Sequence, residues 1–330
     1  MADGTPQESN LYLVKVAVTG GAGFIGSNLV LRLLEHGHHV TVVDNFTTGR
    51  RENFGGHANH RNLSIREVDL TEATAASDAL RDSEVVYHLA ANADVKDGWK
   101  HPRKDHEQNI VATLNVLEAM RANGVPRIVF SSTGSVYGVT AVVPTPENAP
   151  FPVQTSLYGA SKLAAEGLIQ AYVEGGVLTA TIFRFVSVLG PRYSHGHVVD
   201  FVRQLLADPS ELAVLGDGTQ TKSYLHVEDC VDALVSHLAS ARGLNIFNLG
   251  VDDTITVHDS IAWITAEMGV SPSLRFAGGS QGWIGDNPLI HLDISAMRAT
   301  GWEPRHSIKD SVVETTRWIL DNQWVLERRS

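Results

Sequence analysis

Residues 13–44 constrain the fold of this chain more than any other stretch. An apolar run from Leu13 to Val18 reads as a strand buried on both faces. It leads into Gly20-x-x-Gly23-x-x-Gly26, an amphipathic stretch from Phe24 to His36 that Gly37 stops, and a second apolar run, Val40 to Val43. The first two glycines let the backbone turn tightly and approach a pyrophosphate, and Gly26 lets the helix lie close to the sheet. The unsatisfied N–H groups of the helix's first turn then face the phosphates. Asp44 ends the second strand, where a carboxylate can accept hydrogen bonds from both ribose hydroxyls and repel a 2′-phosphate. NAD is therefore expected over NADP, although Arg50 and Arg51 follow closely and could soften that preference.

The rest of the chain fits such a unit. At 330 residues it can bury a large core without staples. No apolar run approaches the roughly 20 residues of a membrane span. Residues 1–12 begin polar and acidic, without the basic start and apolar centre of a signal peptide, and read as a disordered lead. Cys230 is the single cysteine, which excludes an intrachain disulfide or a Cys-rich metal site and fits a reducing cytoplasm. With 26 basic against 37 acidic side chains the net charge is −11, which argues against nucleic acid as a partner.

Further strands are expected at 63–68, 84–89, 127–130 and 178–183, alternating with helices at 71–82, 105–123 and 158–173, while 45–62 reads as a loop or short helix. That alternation predicts an α/β, Rossmann-type doubly wound parallel sheet over residues 13–184, revisited near 222–250. Past residue 184 the elements shorten between Pro191, Asp208-Pro209 and Gly216-Asp217-Gly218, so 185–330 is expected to form mainly a smaller substrate-binding lobe. Asp69 and Leu70 end the third strand, where adenine contacts would fall; Ala90 and Ala91, after Leu89, leave room for a cofactor.

A second constellation follows. Ser131-Ser132-Thr133 sits at a strand tip, and Tyr158 and Lys162 stand four apart on one helical face. A phenol is a poor base near its usual pKa of about 10, but a neighbouring ammonium and a positive nicotinamide would favour phenolate. Lys162 could also hold the nicotinamide ribose, and Thr133 could hydrogen-bond a substrate oxygen that gains or loses a proton. A packed tyrosine beside a surface cation would account for the spacing alone; after a dinucleotide-binding unit and a hydroxyl-rich strand tip the chemical reading prevails.

With these residues the chain resembles the extended short-chain dehydrogenase/reductase family, and within it the nucleotide-sugar epimerases and dehydratases. The resemblance runs from about Val14 to near Trp318. It rests on Gly20-Gly21-Ala22-Gly23-Phe24-Ile25-Gly26, Asp44-Asn45, Asp69-Leu70, His88-Leu89-Ala90-Ala91, Ser131 to Thr133, Tyr158-x-x-x-Lys162, Gly190-Pro191 and Gly216 to Gln220. It implies Tyr158 as acid and base, Lys162 as its support, Thr133 as third member, and Asn109 propping the lysine through water. It also implies a nucleotide-diphosphate sugar as substrate and an NAD that stays bound and is regenerated each turnover. Dehydratases and decarboxylases of the family carry acids just after the catalytic Ser/Thr, where this chain has Gly134 and Ser135, so elimination is disfavoured.

Departures from the family pattern concern the sugar diphosphate. Its Arg-x-x-Asn reads Arg184-Phe185-Val186-Ser187, an arginine after Gly-Asp-Gly is Lys222, and a later one is Trp283, whose indole could stack on a base or simply pack. Arg192, His195 and His197 are the candidates to neutralise the charge in their place. Two histidines with no third ligand do not suggest a metal, and His88, His226 and His237 read as structural. The expected activity is an NAD-dependent nucleotide-sugar epimerase, acting at carbon 4. UDP-hexoses are the default substrates, with ADP-, GDP- or dTDP-sugars and a heptose open. The alternatives are a nucleotide-sugar dehydrogenase, reductase or decarboxylase, and a non-catalytic NAD-binding protein of the same fold. The helices at 105–123 and 158–173 carry more apolar residues than one sheet face needs, and family members often pair them, so a homodimer is expected.

Overall fold

The computed structural model describes residues 13–327 apart from 94, 96, 97, 151, 152, 239–242 and 280–289, so the expected lead at 1–12 lies outside the described residues. The opening apolar run forms β1 (Lys15–Thr19), buried at every position after the first. Helix α1 (Phe24–Glu35) follows the glycine turn and buries Leu29, Val30, Leu33 and Leu34 against the sheet. The next elements are β2 (His39–Asp44), β3 (Leu63–Glu67), α2 (Ala73–Leu80) and β4 (Val85–His88). Then come α3 (Pro102–Asp105), α4 (Ala112–Asn123), β5 (Arg127–Thr133), α5 (Leu157–Glu174) and β6 (Thr179–Phe185).

The shorter elements of the C-terminal part are β7 (Ser187–Leu189), α6 (His197–Ala207), β8 (Glu211–Val214), β9 (Thr221–Lys222), β10 (Tyr224–His226) and α7 (Val227–Ser236). They continue with β11 (Leu244–Leu249), β12 (Ile255–Thr256), α8 (Val257–Met268), β13 (Ser273–Phe276), α9 (Ser295–Arg298) and α10 (Ile308–Asp321).

Seven strands make one parallel sheet in the order β11-β6-β5-β4-β1-β2-β3. Successive strands move one way from β1 to β3 and the other way from β4 to β6, so the order reverses between β1 and β4. The crevice outside the carboxyl ends of those two strands is where such a sheet binds ligands. Apolar clusters cover both faces: one under α2, α4 and α5, the other under α1, α7 and the C-terminal elements. Among the described residues only β11 brings the chain back to this sheet; β9 and β10, at the start of the expected 222–250 return, instead pair with β12 and β7 as two-stranded ladders, and β8 pairs with β13 in a third.

Two local features interrupt the regular pattern. Between α3 and α4 the helix widens into a π-helical turn, His106–Val111, a feature that often marks a functional position. The segment after β2, expected as a loop or short helix, holds a 3₁₀ run, Arg51–Asn59, kinked at Gly55. Helix α10 stops at Asp321, and a 3₁₀ turn, Gln323–Leu326, follows it.

Candidate active site

The glycine turn is built to receive a dinucleotide. Gly20 has φ +66°, which favours glycine, and a Cβ there would lie 2.7 Å from the Ala90 nitrogen. A Cβ on Gly26 would collide with the Gly20 carbonyl oxygen. Gly23 caps α1 without a side-chain hydrogen bond, so the first-turn N–H groups remain for a ligand. Phe24 is buried edge-on against Tyr193, centroids 5.3 Å apart, while Ile25 is half-buried. The Asp44 carboxylate is held at the turn, accepting from the Ala22 N–H at 3.0 Å and the Phe46 N–H at 2.8 Å. Asn45 donates to Asp69 at 3.2 Å, whose other oxygen takes the Thr71 N–H and hydroxyl. The Leu70 side chain packs in the core, which leaves only its backbone for a cofactor, and Leu89, Ala90 and Ala91 are half-buried at the end of β4. These groups fit NAD. The two arginines that could have welcomed a 2′-phosphate are engaged: Arg51 pairs with Glu67 at 3.0 Å over the Phe46 ring, and Arg50 lies over Trp324.

On the same edge of the sheet, the tip of β5 meets the start of α5. Ser156 caps that helix, its hydroxyl accepting the Gly159 N–H at 3.0 Å. Gly159 is required here, since a Cβ would lie 2.9 Å from the Ser135 carbonyl. This close approach brings the Tyr158 phenol beside Thr133, whose hydroxyl helps to lower the phenol's pKa. Thr133 Oγ1 also accepts the Ser135 N–H at 3.1 Å and donates to Ser135 Oγ at 3.2 Å. One turn along α5, Lys162 is 2 % exposed, its Nζ 4.0 Å from the centre of the Phe130 ring. Burial pushes the Tyr158 phenol up to about 12, the Thr133 hydroxyl opposing and Asp105 adding. Burial also brings Lys162 down to about 7, with Glu166 pulling the other way. The folded chain alone therefore does not favour phenolate: desolvation outweighs the Thr133 contribution at Tyr158 and the pull of Glu166 at Lys162.

Behind the pair, Asn109 sits on the π-helical turn. Its Oδ1 accepts the Asn92 N–H at 2.7 Å, and its Nδ2 donates to Ser161 Oγ at 2.8 Å, so its direct reach into α5 ends on the residue before Lys162. Ser131 donates to the His88 carbonyl at 3.3 Å, and His88 itself bridges Thr19 and Thr113. Burial, then Lys162, pushes His88 down to about 3, so it stays neutral. A network unforeseen from sequence supports α5. Arg184 and Glu166, both buried, pair at 2.7 Å; Ser132 donates to Glu166; and Arg184 donates to the Tyr137 hydroxyl at 2.8 Å, which donates to Asn248 at 2.8 Å. The i, i+4 step from Lys162 to Glu166 was its one signal in the sequence.

The candidates for the sugar diphosphate scatter more widely. Ser187 is exposed at the start of β7, and Lys222 is half-buried on β9, paired with Ile255. The Arg192 guanidinium is taken by Asn28 at 2.7 Å and the Asn53 carbonyl at 2.8 Å, which tie it to the cofactor half. His195 is exposed and stacks on Tyr193, whereas His197 bonds Ser260 at 2.8 Å against Tyr224, so the two imidazoles serve different neighbours. Trp283 lies outside the described residues. Among the described residues one trio, His226, Glu228 and His306, has the spacing to hold a metal. There His226 Nδ1 accepts the Glu228 N–H, which places its proton on Nε2 toward Glu314 and leaves no lone pair for an ion.

Comparison with known proteins agrees with this geometry. The NAD-dependent epimerase/dehydratase family matches residues 16–250. A putative UDP-glucose 4-epimerase of Methanocaldococcus jannaschii is 32% identical over 313 residues, 93% of this chain and 99% of that one. UDP-glucuronic acid decarboxylase 4 of Arabidopsis thaliana is 34% identical over 91% of this chain and 67% of its own length. The crystal structure of the UDP-glucose 4-epimerase of Thermus thermophilus, a complex with NAD, superposes with a TM-score of 0.82 at 31% identity, covering 93% of this chain and 99% of that one.

Proposed function

The chain belongs to the NAD-dependent epimerase/dehydratase family, and from that premise we propose that it inverts carbon 4 of a UDP-linked hexose. The observation that carries the reading is the meeting of Tyr158 with Thr133, one helical turn from the buried Lys162, on the sheet edge that holds the glycine turn. NAD, when bound at that turn, takes up a hydride and can return it. Tyr158 as phenolate removes the proton of the 4-hydroxyl while the hydride leaves carbon 4. Thr133 bonds the phenol and the sugar oxygen, holding both in line. Lys162 in its ammonium form draws the phenol's pKa down from about 12 toward the working range. The 4-keto sugar then turns in the cleft; carbon 4 regains hydride on its other face, and Tyr158 returns the proton to the oxygen.

A second reading, decarboxylation of a UDP-linked uronic acid, is favoured by the similarity to the Arabidopsis protein. Gly134 weighs against it: a Cβ there would lie 2.8 Å from the Ile290 methyl and 3.3 Å from the Phe185 carbonyl, so an acid in that place would require Ile290 to move. Ser135, the next position, offers only a hydroxyl already bonded to Thr133. Incubation with UDP-, ADP-, GDP- and dTDP-sugars, read by NMR, tests the proposal. A UDP-hexose epimer with no carbon dioxide and no net NADH is expected. Release of carbon dioxide from a UDP-uronate would establish the second reading, and no turnover of any sugar would leave a binding protein.

The same proposal includes a homodimer in the cytoplasm. Leu114 on α4 is 39% exposed, and Ala164, Gly167 and Ala171 are exposed at helical spacing on α5, an apolar strip that a second copy would cover. Sedimentation at micromolar concentration should give twice the chain mass; a monomer alone removes this part. The compartment rests on the single cysteine, Cys230, buried and unpaired.

A further inference from the structure

Arg50 leaves the chain beside the glycine turn, and its guanidinium is engaged by residues near the other end of the sequence. Its backbone N–H donates to the Ala22 carbonyl of the glycine turn at 2.9 Å. The preceding Gly49 lies against Asp44, so closely that a Cβ there would stand 2.7 Å from the carboxylate. A guanidinium starting from this point can reach a 2′-phosphate, the group that arginines near this strand end recognise when NADP is bound. Instead it runs to the far end of the chain. It stacks over the Trp324 ring, 5.6 Å from the centroid, and donates to the Glu327 carbonyl. The turn that receives it is well anchored. Trp324 packs edge-on against Trp318 at 5.7 Å, its Nε1 donates to Asn322 at 3.2 Å, and Val325 is buried. Arg51 is held in a comparable way by Glu67 and Phe46.

We infer that the C-terminal turn is a specificity element for the dinucleotide: by holding Arg50 it denies the 2′-phosphate a cation and reinforces the preference for NAD that Asp44 begins. Trp324 and Glu327 act here as positioning residues, through the ring under the Arg50 guanidinium and the carbonyl it donates to. This control of cofactor choice stands whichever sugar, or none, is turned over.

The test is displacement of bound NAD by NADP in equilibrium dialysis of the full-length holoenzyme, for wild type, W324A, R50A and W324A/R50A. Freeing one partly exposed arginine should improve NADP binding relative to NAD by about three- to tenfold in W324A. R50A should match wild type, and W324A/R50A should lose the gain. An unchanged ratio in W324A, or a gain that survives in the double variant, overturns the inference. Thermal melts establish that each variant is folded. Should W324A melt too low, W324L keeps an apolar contact with Trp318 while removing the aromatic face, and the same two comparisons decide the matter.

Discussion

Replacing Lys162 by methionine isolates the cost of the buried ammonium. Burial brings this amine from its ordinary 10.5 to about 7, opposed by Glu166, whereas in the unfolded chain it keeps its proton to about pH 10. Between those values the unfolded state binds a proton that the folded state has lost, so this group makes stability rise with pH. At and below about pH 7 the folded chain carries nearly the whole penalty, about 4 to 5 kcal/mol at about 1.4 kcal/mol per pH unit. Contact with the Phe130 face offsets about 1 kcal/mol of it while the amine is charged. By about pH 9.5 the folded lysine is neutral and only about 1 kcal/mol remains. Methionine fills much of the same volume without a charge. K162M should therefore be inactive yet more stable than wild type, by about 3 kcal/mol near pH 7 and about 1 kcal/mol near pH 9.5. Urea unfolding of both NAD-free proteins at several pH values measures this directly. A stability difference that stays level across that range would mean that Lys162 titrates as it does in water, and the burial argument would fail.

Three further outcomes follow from named contacts. Y158F keeps the ring and loses the phenol, so turnover should drop about a thousandfold while NAD stays bound; unchanged turnover removes Tyr158 from the mechanism. R184M leaves Glu166 buried without its partner and should cost about 3 to 5 kcal/mol in chemical denaturation, with part of that recovered in E166Q/R184M; equal losses in the two would show that the pair is not coupled. G26A drives a methyl into the Gly20 carbonyl, so calorimetry should show NAD affinity down by at least about tenfold with the fold retained; full affinity would show that the turn can shift without harm.

The cofactor half was legible because its constraints are local. Three glycines, an apolar strand before them and an acid at the end of the next strand must lie within one crossover unit, so their spacing along the chain is their spacing in space. Tyr158 and Lys162 were legible for the same reason, being four apart on one helix. The scattered candidates for the diphosphate were not. Arg192 reads as a cation following Gly-Pro, and nothing near it in the chain signals that Asn28 and Asn53 take its guanidinium.

The sequence by itself determined the parallel sheet, the glycine turn, the acid at the end of β2 and the tyrosine–lysine pair, since each rests on short-range periodicity or steric need. Only the tertiary structure decided the protonation of that pair, because burial depends on what distant elements cover. It also decided the support of α5 by Arg184 from β6 and the destination of Arg50, whose partners lie 18 and 277 residues away respectively. Side chains on opposite ends of a chain carry no mutual spacing rule, and only folding sets them within hydrogen-bond reach.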